Sequence, residues 1–345
     1  LGINTAISST GSMDLVAENN VALTANVTST GGNVAIDSDD DGDGLGGITQ
    51  TDGTLVTATS VGLSAGAGGI GTSGAVANAF DISATNVAFD GPGNVHIRDV
   101  NDGVNVIASV TAVNETVTTG LVTGTLQLRA DDTNGGDNGN LGINTALSAT
   151  GATDLVAENN VALGATVTSG GNLVIDADDD GDNLGGITQS AGTLVATNVG
   201  LSAGNGGIGA STALVDTIDI TATNVAFDTT GRANIRDTAG GISIVNGPIV
   251  GVVESVTGNS VNGTLQLEAD GGGSLTINDD ITGITDADFI ADGSVALNAN
   301  VTASAEGSVS FDAPDILNQV GDRIVAEYMA DNPEVNAELG GLVSI

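Results

Sequence analysis

Two acidic segments of closely similar sequence hold the residues best suited to chemistry. They read DSDDDGDG at 37–44 and DADDDGDN at 176–183. Alternate aspartates followed by a glycine reproduce the opening of a calcium loop, in which carboxylate oxygens converge on one hard cation and the glycine permits the turn. The candidate ligands of Ca²⁺ are Asp37, Asp39, Asp41, Asp43, Asp176, Asp178, Asp180 and Asp182.

The acidic pattern departs from that of a complete EF-hand. An EF-hand needs an acidic residue at its twelfth position, but Ile48 stands there in the first copy and Ile187 in the second. A solvated acidic corner without a cation explains the same residues. Calcium, the one cofactor expected, is therefore a hypothesis, which the repetition and the net charge of −38 favour.

Two arginines at equivalent places are the next candidates. Arg98-Asp99 recurs as Arg236-Asp237, and an arginine beside carboxylates could act in catalysis, as in β-helix enzymes that degrade pectin. The chain has no lysine, and the sequence around these arginines shows neither a dense aspartate cluster nor aromatic residues that could stack on sugars. Ion pairs, or arginines laid over a neighbouring coil, are the favoured interpretation, and no catalytic residue is predicted.

His96 is the only histidine, and the second repeat replaces it with Asn234. A single histidine cannot form a metal site or a catalytic triad by itself. We therefore expect His96 to be an exposed strand residue. The chain also has no cysteine, which excludes disulfides and cysteine-based zinc sites.

Short strands separated by polar corners are the elements that must position these residues. Val34 and Ile36 alternate with polar or small residues before the acidic corner, and a new apolar run begins at Ile48. Alternation with a period of two is the pattern of a half-buried strand. Glycine, asparagine and aspartate fill the gaps because they tolerate turns.

The pattern of strands and corners occurs twice in the sequence. LGINTAISSTGSMDLVAENNVAL at 1–23 returns as LGINTALSATGATDLVAENNVAL at 141–163, and a partial third copy starts near Leu275. The predicted organisation is a first repeat unit, a second unit, a partial third repeat and a C-terminal cap or linker, at 1–140, 141–274, 275–311 and 312–345. Such repetition predicts stacking of equal units.

Stacked coils solve the problem that such short strands cannot stand alone. A triangular coil of three strands and three bends needs roughly 20 residues. Aromatic residues make up 2% of the chain, so the core must be thin and filled with Val, Ile, Leu and Ala. The fold prediction is all-β, a parallel β-helix; a sandwich of hairpins explains the repeat and the small-residue core less well.

The last segment breaks the strand pattern. In PDILNQVGDRIVAEYMA at 314–330, apolar residues recur at helical spacing, with Ile316, Val320 and Ile324 on one face. Pro314 suits a first helical turn and Asp312 a cap. We expect a short C-terminal helix that covers the last coil.

Several phrases resemble the shaft of large bacterial adhesins of the filamentous-haemagglutinin type. They are GGNVAID, GTLVTATSVGLSAGAGGIGT, NVAFDGPGNVHIRD and LVAENNVALTANVTSTGG, and the likeness covers nearly all of 1–311. The resemblance implies a right-handed parallel β-helix, secretion to the cell surface and a role in attachment or matrix. The secretion module of such adhesins is missing from this chain, which leaves the export route open.

The combined expectation is a non-enzymatic, extracellular shaft of a surface adhesin or fibre. Expected partners are the chain itself, through end-to-end stacking or further repeats, and host or matrix glycans or proteins. Nucleic acid and anionic membranes suit a surface of charge −38 poorly, and no apolar run approaches a membrane span. A self-assembling filament subunit and a polysaccharide-active β-helix enzyme are the alternatives.

Overall fold

The computed structural model describes residues 1–51, 53–72, 78–133, 138–209, 217–245, 247–318 and 324–326. These residues form forty strands and no helix, and most of the strands belong to one large parallel sheet. The prediction of an all-β parallel β-helix is confirmed. Over the same ranges, no helix with the length and hydropathy of a membrane span is found.

The chain divides into two compact units. Unit 1 comprises 1–171 together with 251–254, and unit 2 comprises 172–250 and 255–345. The strands of unit 1 are β1 (Gly2–Ile3), β2 (Ile7–Ser9), β3 (Met13–Val16), β4 (Asn20–Leu23), β5 (Val27–Ser29), β6 (Val34–Asp37), β7 (Gly47–Gln50), β8 (Val56–Ser64), β9 (Gly69–Ile70), β10 (Phe80–Asp90), β11 (Val95–Asp99), β12 (Val104–Val106), β13 (Ser109–Thr111), β14 (Thr116–Thr118), β15 (Leu121–Val122), β16 (Leu126–Ala130), β17 (Leu141–Ile143), β18 (Leu147–Ala149), β19 (Thr153–Ala157), β20 (Val161–Leu163) and β21 (Val167–Ser169).

Unit 2 continues the same pattern of short strands. Its strands are β22 (Leu173–Ala177), β23 (Gly186–Gln189), β24 (Leu194–Val195), β25 (Asn198–Ala203), β26 (Gly207–Ile208), β27 (Ile218–Thr221), β28 (Asn224–Thr229), β29 (Ala233–Asp237), β30 (Ile242–Ile244), β31 (Ile249–Val250), β32 (Ser255–Val256), β33 (Asn259–Val261), β34 (Thr264–Ala269), β35 (Leu275–Ile277), β36 (Ile281–Ala291), β37 (Ser294–Leu297), β38 (Val301–Asp312), β39 (Asp315–Asn318) and β40 (Ile324–Ala326).

The coil has three sides, because a strand pairs in parallel with the third strand along the chain. In unit 1, β1 pairs with β4, β2 with β5 and β3 with β6. Gly2 lies opposite Ala22, so the shortest coils take about the 20 residues that were predicted. Longer strands such as β8 turn a corner and pair on two sides, with β5 and with β6.

Stacking places like side chains in columns inside each coil. In unit 1, Ile36 lies opposite Leu63, which lies opposite Phe89, and all three are fully buried. In unit 2, Leu201 lies opposite Phe227 in the same way. Burying one such side chain stabilises the fold by about 1.5–3 kcal/mol, so a narrow core repeated over many coils suffices.

Two antiparallel hairpins lie on the outside of the coils, which the sequence did not predict. In unit 1, β13 and β14 form a hairpin whose Val110 and Val117 pack on Ala88. The hairpin also covers Gly62, where an added Cβ would stand 3.0 Å from the Val117 side chain. Small residues at these outward positions therefore make room for the hairpin.

Unit 2 carries the equivalent hairpin, formed by β31 and β32. Ile249 and Val256 pack there on Val174 and Ala226, and an added Cβ on Gly200 would stand 3.1 Å from the Val256 side chain. The two hairpins thus pack in the same way: the apolar side chains of each hairpin contact small or β-branched residues of the coil.

The helix expected over 314–330 is wrong where the structure describes that segment. β39 pairs in parallel with β37, and β40 pairs in parallel with β38. The physical reason is that a preceding coil presents a row of backbone N–H and C=O groups, and pairing with that row satisfies more of them than a solitary short helix would. The remainder of this segment, 319–323 and 327–330 with Val320, lies outside the described residues.

Gly46, after the first acidic corner, offers a test of coil stacking. A Cβ added at Gly46 would stand 1.4 Å from the carbonyl oxygen of Ser38 and 2.1 Å from that of Asn19. Because backbone atoms cannot yield as side-chain ends do, Gly46→Ala should lower the free energy of unfolding by more than about 3 kcal/mol. Urea unfolding followed by circular dichroism measures the loss.

Gly11→Ala is the matched control, since nothing lies within 4 Å of the Cβ it adds. This control should change the free energy of unfolding by no more than about 0.5 kcal/mol. Equal stability of the two variants would contradict the close packing of neighbouring coils at Gly46.

Candidate functional site

Each acidic corner brings three carboxylates together. In unit 1, between β6 and β7, one carboxylate oxygen each from Asp39, Asp41 and Asp43 lies within 4.8 Å of the others. Unit 2 repeats the arrangement between β22 and β23, and the three residues there are Asp178, Asp180 and Asp182. Six of the eight aspartates predicted from the sequence therefore converge in two groups of three.

The first aspartate of each segment stays outside its group. Asp37 ends strand β6, and its Oδ1 accepts a hydrogen bond of 2.9 Å from the backbone N–H of Asp39. Asp176 accepts from the N–H of Asp178 at 3.2 Å in the same way. Both residues belong to strands that precede the bend. Each group of three therefore begins two residues later than the calcium-loop pattern implied, at Asp39 and at Asp178.

Hydrogen bonds within the corner support its shape without any cation. Asp39 Oδ1 accepts from the N–H of Gly44 at 2.8 Å, and Asp43 Oδ1 accepts from the N–H of Leu45 at 2.9 Å. Such turns, in which aspartate bonds to nearby backbone, are common at bends. Carboxylates of this kind also fit a hard cation, which would need further carbonyl or water oxygens to complete its usual shell of six to eight.

Like charges crowd at the corner of unit 2. The pKa of Asp178 is raised mainly by burial, which the N–H of Asn183 opposes, and then by the charges of Asp182, Asp180 and Asp176. A bound divalent cation would reverse this repulsion. The corner therefore has the chemistry of a weak cation site and also that of a self-supported acidic bend.

The two predicted arginines lie in bidentate ion pairs between neighbouring coils. Arg98 donates from Nε and Nη2 to the two oxygens of Asp81 at 2.8 and 2.7 Å, and the two residues are register partners in β10 and β11. Arg236 donates to Asp219 at 2.9 Å through both atoms. A cavity of about 240 Å³ adjoins Arg236 and Asp219.

The acidic surroundings of Arg98 were not visible in the sequence. Besides Asp81, Asp131 lies 3.9 Å from its Nη1, and Asp131 also accepts from Arg129 at 2.7 Å. These residues are distant along the chain but occupy successive coils. The expected ion pairs are found, and stacking adds a second aspartate near Arg98 that the local sequence did not show.

His96 differs from the expectation of an exposed residue. It lies on strand β11 as predicted, but only 3% of its surface is exposed. Its Nε2 lies 3.0 Å from the Oγ1 of Thr125, and it stands opposite Gln127, which is also buried. The neighbouring coil covers the ring, which alternation along one strand cannot reveal.

An aspartate clamp fastens each hairpin loop, and sequence reasoning missed it. In unit 1, Asp14 accepts hydrogen bonds from the backbone N–H groups of Val113, Asn114 and Glu115, at 2.9, 2.6 and 3.3 Å. A carboxylate that accepts several backbone N–H groups forms strong, charge-assisted bonds. The bonds span about a hundred residues of chain, so they tie distant coils together.

The loop at 251–254, also in unit 1, is held by Asp154. Its carboxylate accepts from Val252, Val253 and Glu254 at 2.8, 2.7 and 3.0 Å. Burial raises the pKa of Asp154, and these three N–H groups oppose the rise. The one available signal was the recurrence of Asp14 as Asp154 in the repeated MDLVAENN and TDLVAENN phrases.

Known proteins show no significant similarity to this chain. No family model matches it, and neither the curated proteins nor the solved structures yield a significant match. Function must therefore be inferred from the coil, the corners and the side chains of this chain.

The buried Asp99 gives stability a pH dependence that can be measured. Its carboxyl is fully buried, and burial raises its pKa from 3.8 to about 7, although the N–H groups of Ala84 and Asn101 donate to it. Between these two pH values the folded protein keeps a proton that the unfolded chain releases. The free energy of unfolding therefore falls as pH rises through this window.

Asp99→Asn should remove that component, because asparagine does not titrate. Urea unfolding of both proteins at several values between about pH 4 and pH 8 measures the difference, which should grow up to about pH 7 and then level off. High salt serves as control, since it screens the surface repulsion of a chain with net charge −38 but not a buried carboxyl. Parallel curves for the two proteins would contradict the interpretation.

Proposed function

We propose that the protein is a structural and adhesive element of a bacterial surface fibre, in which the β-helix itself is the working part. The observation that carries this proposal is the parallel pairing of a strand with the third strand further along the chain. Most of the described chain forms coils of this kind. Hydrogen bonds between coils run along the stacking direction, so a pull in that direction is shared by three ladders.

The outer surface supports a role in repeated weak contact. Each coil presents polar corners at similar places, and many weak contacts in series raise avidity without any strong single site. The net charge of −38 also keeps such a surface soluble and away from nucleic acid and anionic lipid. Extracellular location and attachment to host or matrix glycans or proteins belong to the same proposal, on the strength of the resemblance to filamentous-haemagglutinin-type shafts.

The arginines favour this proposal over a polysaccharide-active enzyme. In such an enzyme these two arginines would have to contact the substrate. Instead, Arg98 donates two hydrogen bonds to Asp81, and Arg236 donates two to Asp219. Breaking either pair would leave the buried carboxylate of Asp81 or the partly exposed carboxylate of Asp219 without this counter-charge. Their role in the proposal is to join neighbouring coils.

Electron microscopy of the native material, together with an adhesion assay, tests the proposal. We expect thin rods at the cell surface, and we expect the purified chain to coat host cells or matrix and block attachment of the bacterium. Fibres formed by the purified 345-residue chain alone would favour a self-assembling subunit. Turnover of acidic glycans that is lost in Arg98→Ala or Arg236→Ala would replace the proposal with an enzyme.

Calcium binding at the two corners is a second candidate function. It is favoured by the convergence of Asp39, Asp41 and Asp43, which the second corner repeats. Carboxylates so close repel one another, and a cation between them would stabilise the folded corner but not the unfolded chain. By mass action, calcium should then raise the melting temperature.

Thermal melting with calcium and with chelator tests the candidate, using matched magnesium to account for general screening. The double variant Asp41→Asn with Asp180→Asn should lose most of the calcium-specific shift, because it takes one carboxylate from each group of three. The double variant Asp90→Asn with Asp228→Asn removes the same charge outside both groups and should keep the shift. No difference between calcium and chelator in the wild-type chain would end the candidate.

A further inference from the structure

A gap in the ladder of unit 1 opens a polar groove on the coil surface. β10 pairs with β11 up to Ile82 opposite Asp99, and with β12 from Asn86 opposite Asn105. Between these pairings, within the described stretch 78–133, the residues 83–85 have no strand partner on this side. The chain turns away at 100–103 instead, and a groove of about 530 Å³ results.

Amides, hydroxyls and one carboxylate line this groove. The polar lining residues are Thr57, Ser83, Thr85, Asn101, Asp102, Asn105, Asn140 and Asn160. Among the described residues, the apolar lining is confined to small or buried aliphatic side chains and includes no aromatic one. The volume falls within the range of about 300–1,000 Å³ that is usual for sites of small ligands.

The amides are held in place by the coil. Asn101 donates to the Oγ of Ser83 at 2.9 Å, and Asn105 donates to the carbonyl of Thr85 at 3.2 Å, so both reach across the gap in the ladder. Asn160 donates to Asn140 at 2.9 Å. Side chains fixed in this way lose little conformational freedom when a ligand binds, which favours affinity.

The second half of the chain shows that the coil does not need these amides. Unit 2 has the same interruption, because Ile220 lies opposite Asp237 and pairing resumes at Asn224 opposite Ser243. At the places of Asn101, Asp102, Asn105, Asn140 and Asn160 it has Ala239, Gly240, Ser243, Ser274 and Ser294. Pairing is thus interrupted in both halves with different side chains at the bend, so an interruption of the ladder does not by itself require amides.

Asp102 adds an observation of a different kind. Its φ of 61° lies in the left-handed region, which among non-glycine residues of the described chain only Asn183 shares. Such a conformation costs a non-glycine residue on the order of 1 kcal/mol or more, and it concentrates at functional positions. The chain holds an exposed carboxylate in this conformation at the groove, whereas Gly240, at the equivalent place of unit 2, does not have a positive φ.

We propose that this groove of unit 1 binds a neutral oligosaccharide. Neighbouring sugar hydroxyls are both donors and acceptors, and a carboxylate beside several amides offers both kinds of partner. The carboxylate and the charge of −38 disfavour anions, and the described lining offers a divalent cation one carboxylate, fewer than such a cation usually takes. This inference rests on the proposed adhesive function and identifies the groove as the surface that contacts a glycan.

Binding of defined hexasaccharides to the full chain tests the inference. Titration calorimetry with cellohexaose, xylohexaose and chitohexaose should detect at least one ligand with a Kd of about 1 mM, weak because no aromatic ring stacks on the sugar. Oligogalacturonate and hexalysine serve as anionic and cationic probes, and neither should bind as well.

The decisive variant gives the groove the lining of the second half. Asn101→Ala, Asp102→Gly and Asn105→Ser together should weaken binding by about tenfold or more, while the melting temperature changes little. Asp102→Asn alone, which removes only the charge and keeps a residue tolerant of this φ, should weaken it in the same direction. Asn183→Gly is the control, since it relieves the other left-handed residue, which does not line the groove, and it should leave binding unchanged.

Three results would overturn the inference: no neutral hexasaccharide binds at 10 mM (about ten times the expected Kd), binding survives the triple variant, or only a charged probe binds. If sugars fail while the chain still blocks attachment, the groove is wrong and the adhesive function stands. If sugars bind in the groove but no rods or attachment are found, the adhesive function is wrong.

Discussion

The parallel ladder between each strand and the third strand along is the interaction on which the rest of the structure depends. It satisfies the backbone from coil to coil, so single strands of two to six residues become stable elements. It also aligns side chains of the same type, and columns such as Ile36, Leu63 and Phe89 fill a core too narrow for much aromatic bulk. A ladder of this kind constrains strands closely and leaves the corners between them free to vary.

Freedom at the corners explains where the specialised features lie. The acidic bends, the hairpin arms and the groove all occur between paired strands, where an insertion or a missing pair disturbs only the neighbouring coils. Polar groups on the strands join coils as well: the arginines pair with aspartates of the next coil, and Asp14 and Asp154 each accept three backbone N–H groups. The strands therefore hold the apolar core, while the corners hold the groups of three aspartates.

The internal repeat separates what the fold requires from what it merely permits. Features present in both halves, such as the aspartate clamps and the buried Asp99 and Asp237, belong to the architecture. Features of one half, such as the amides around Asp102, are compatible with the architecture but not demanded by it. The groove of unit 1 is thus a surface whose polar lining the second half does not repeat.

The sequence by itself determined the class of fold, the three-sided coil of about 20 residues and the convergence of most corner aspartates, because alternation and repetition are local properties of a chain. It misjudged the described parts of the tail, 315–318 and 324–326, and the burial of His96, and it did not show the hairpins, the clamps or the aspartates around Arg98. These features depend on which residues face each other across coils, often 30 to 100 positions apart in the chain. Only the tertiary structure decided them, since the register between coils sets those neighbours and no periodicity along one strand contains it.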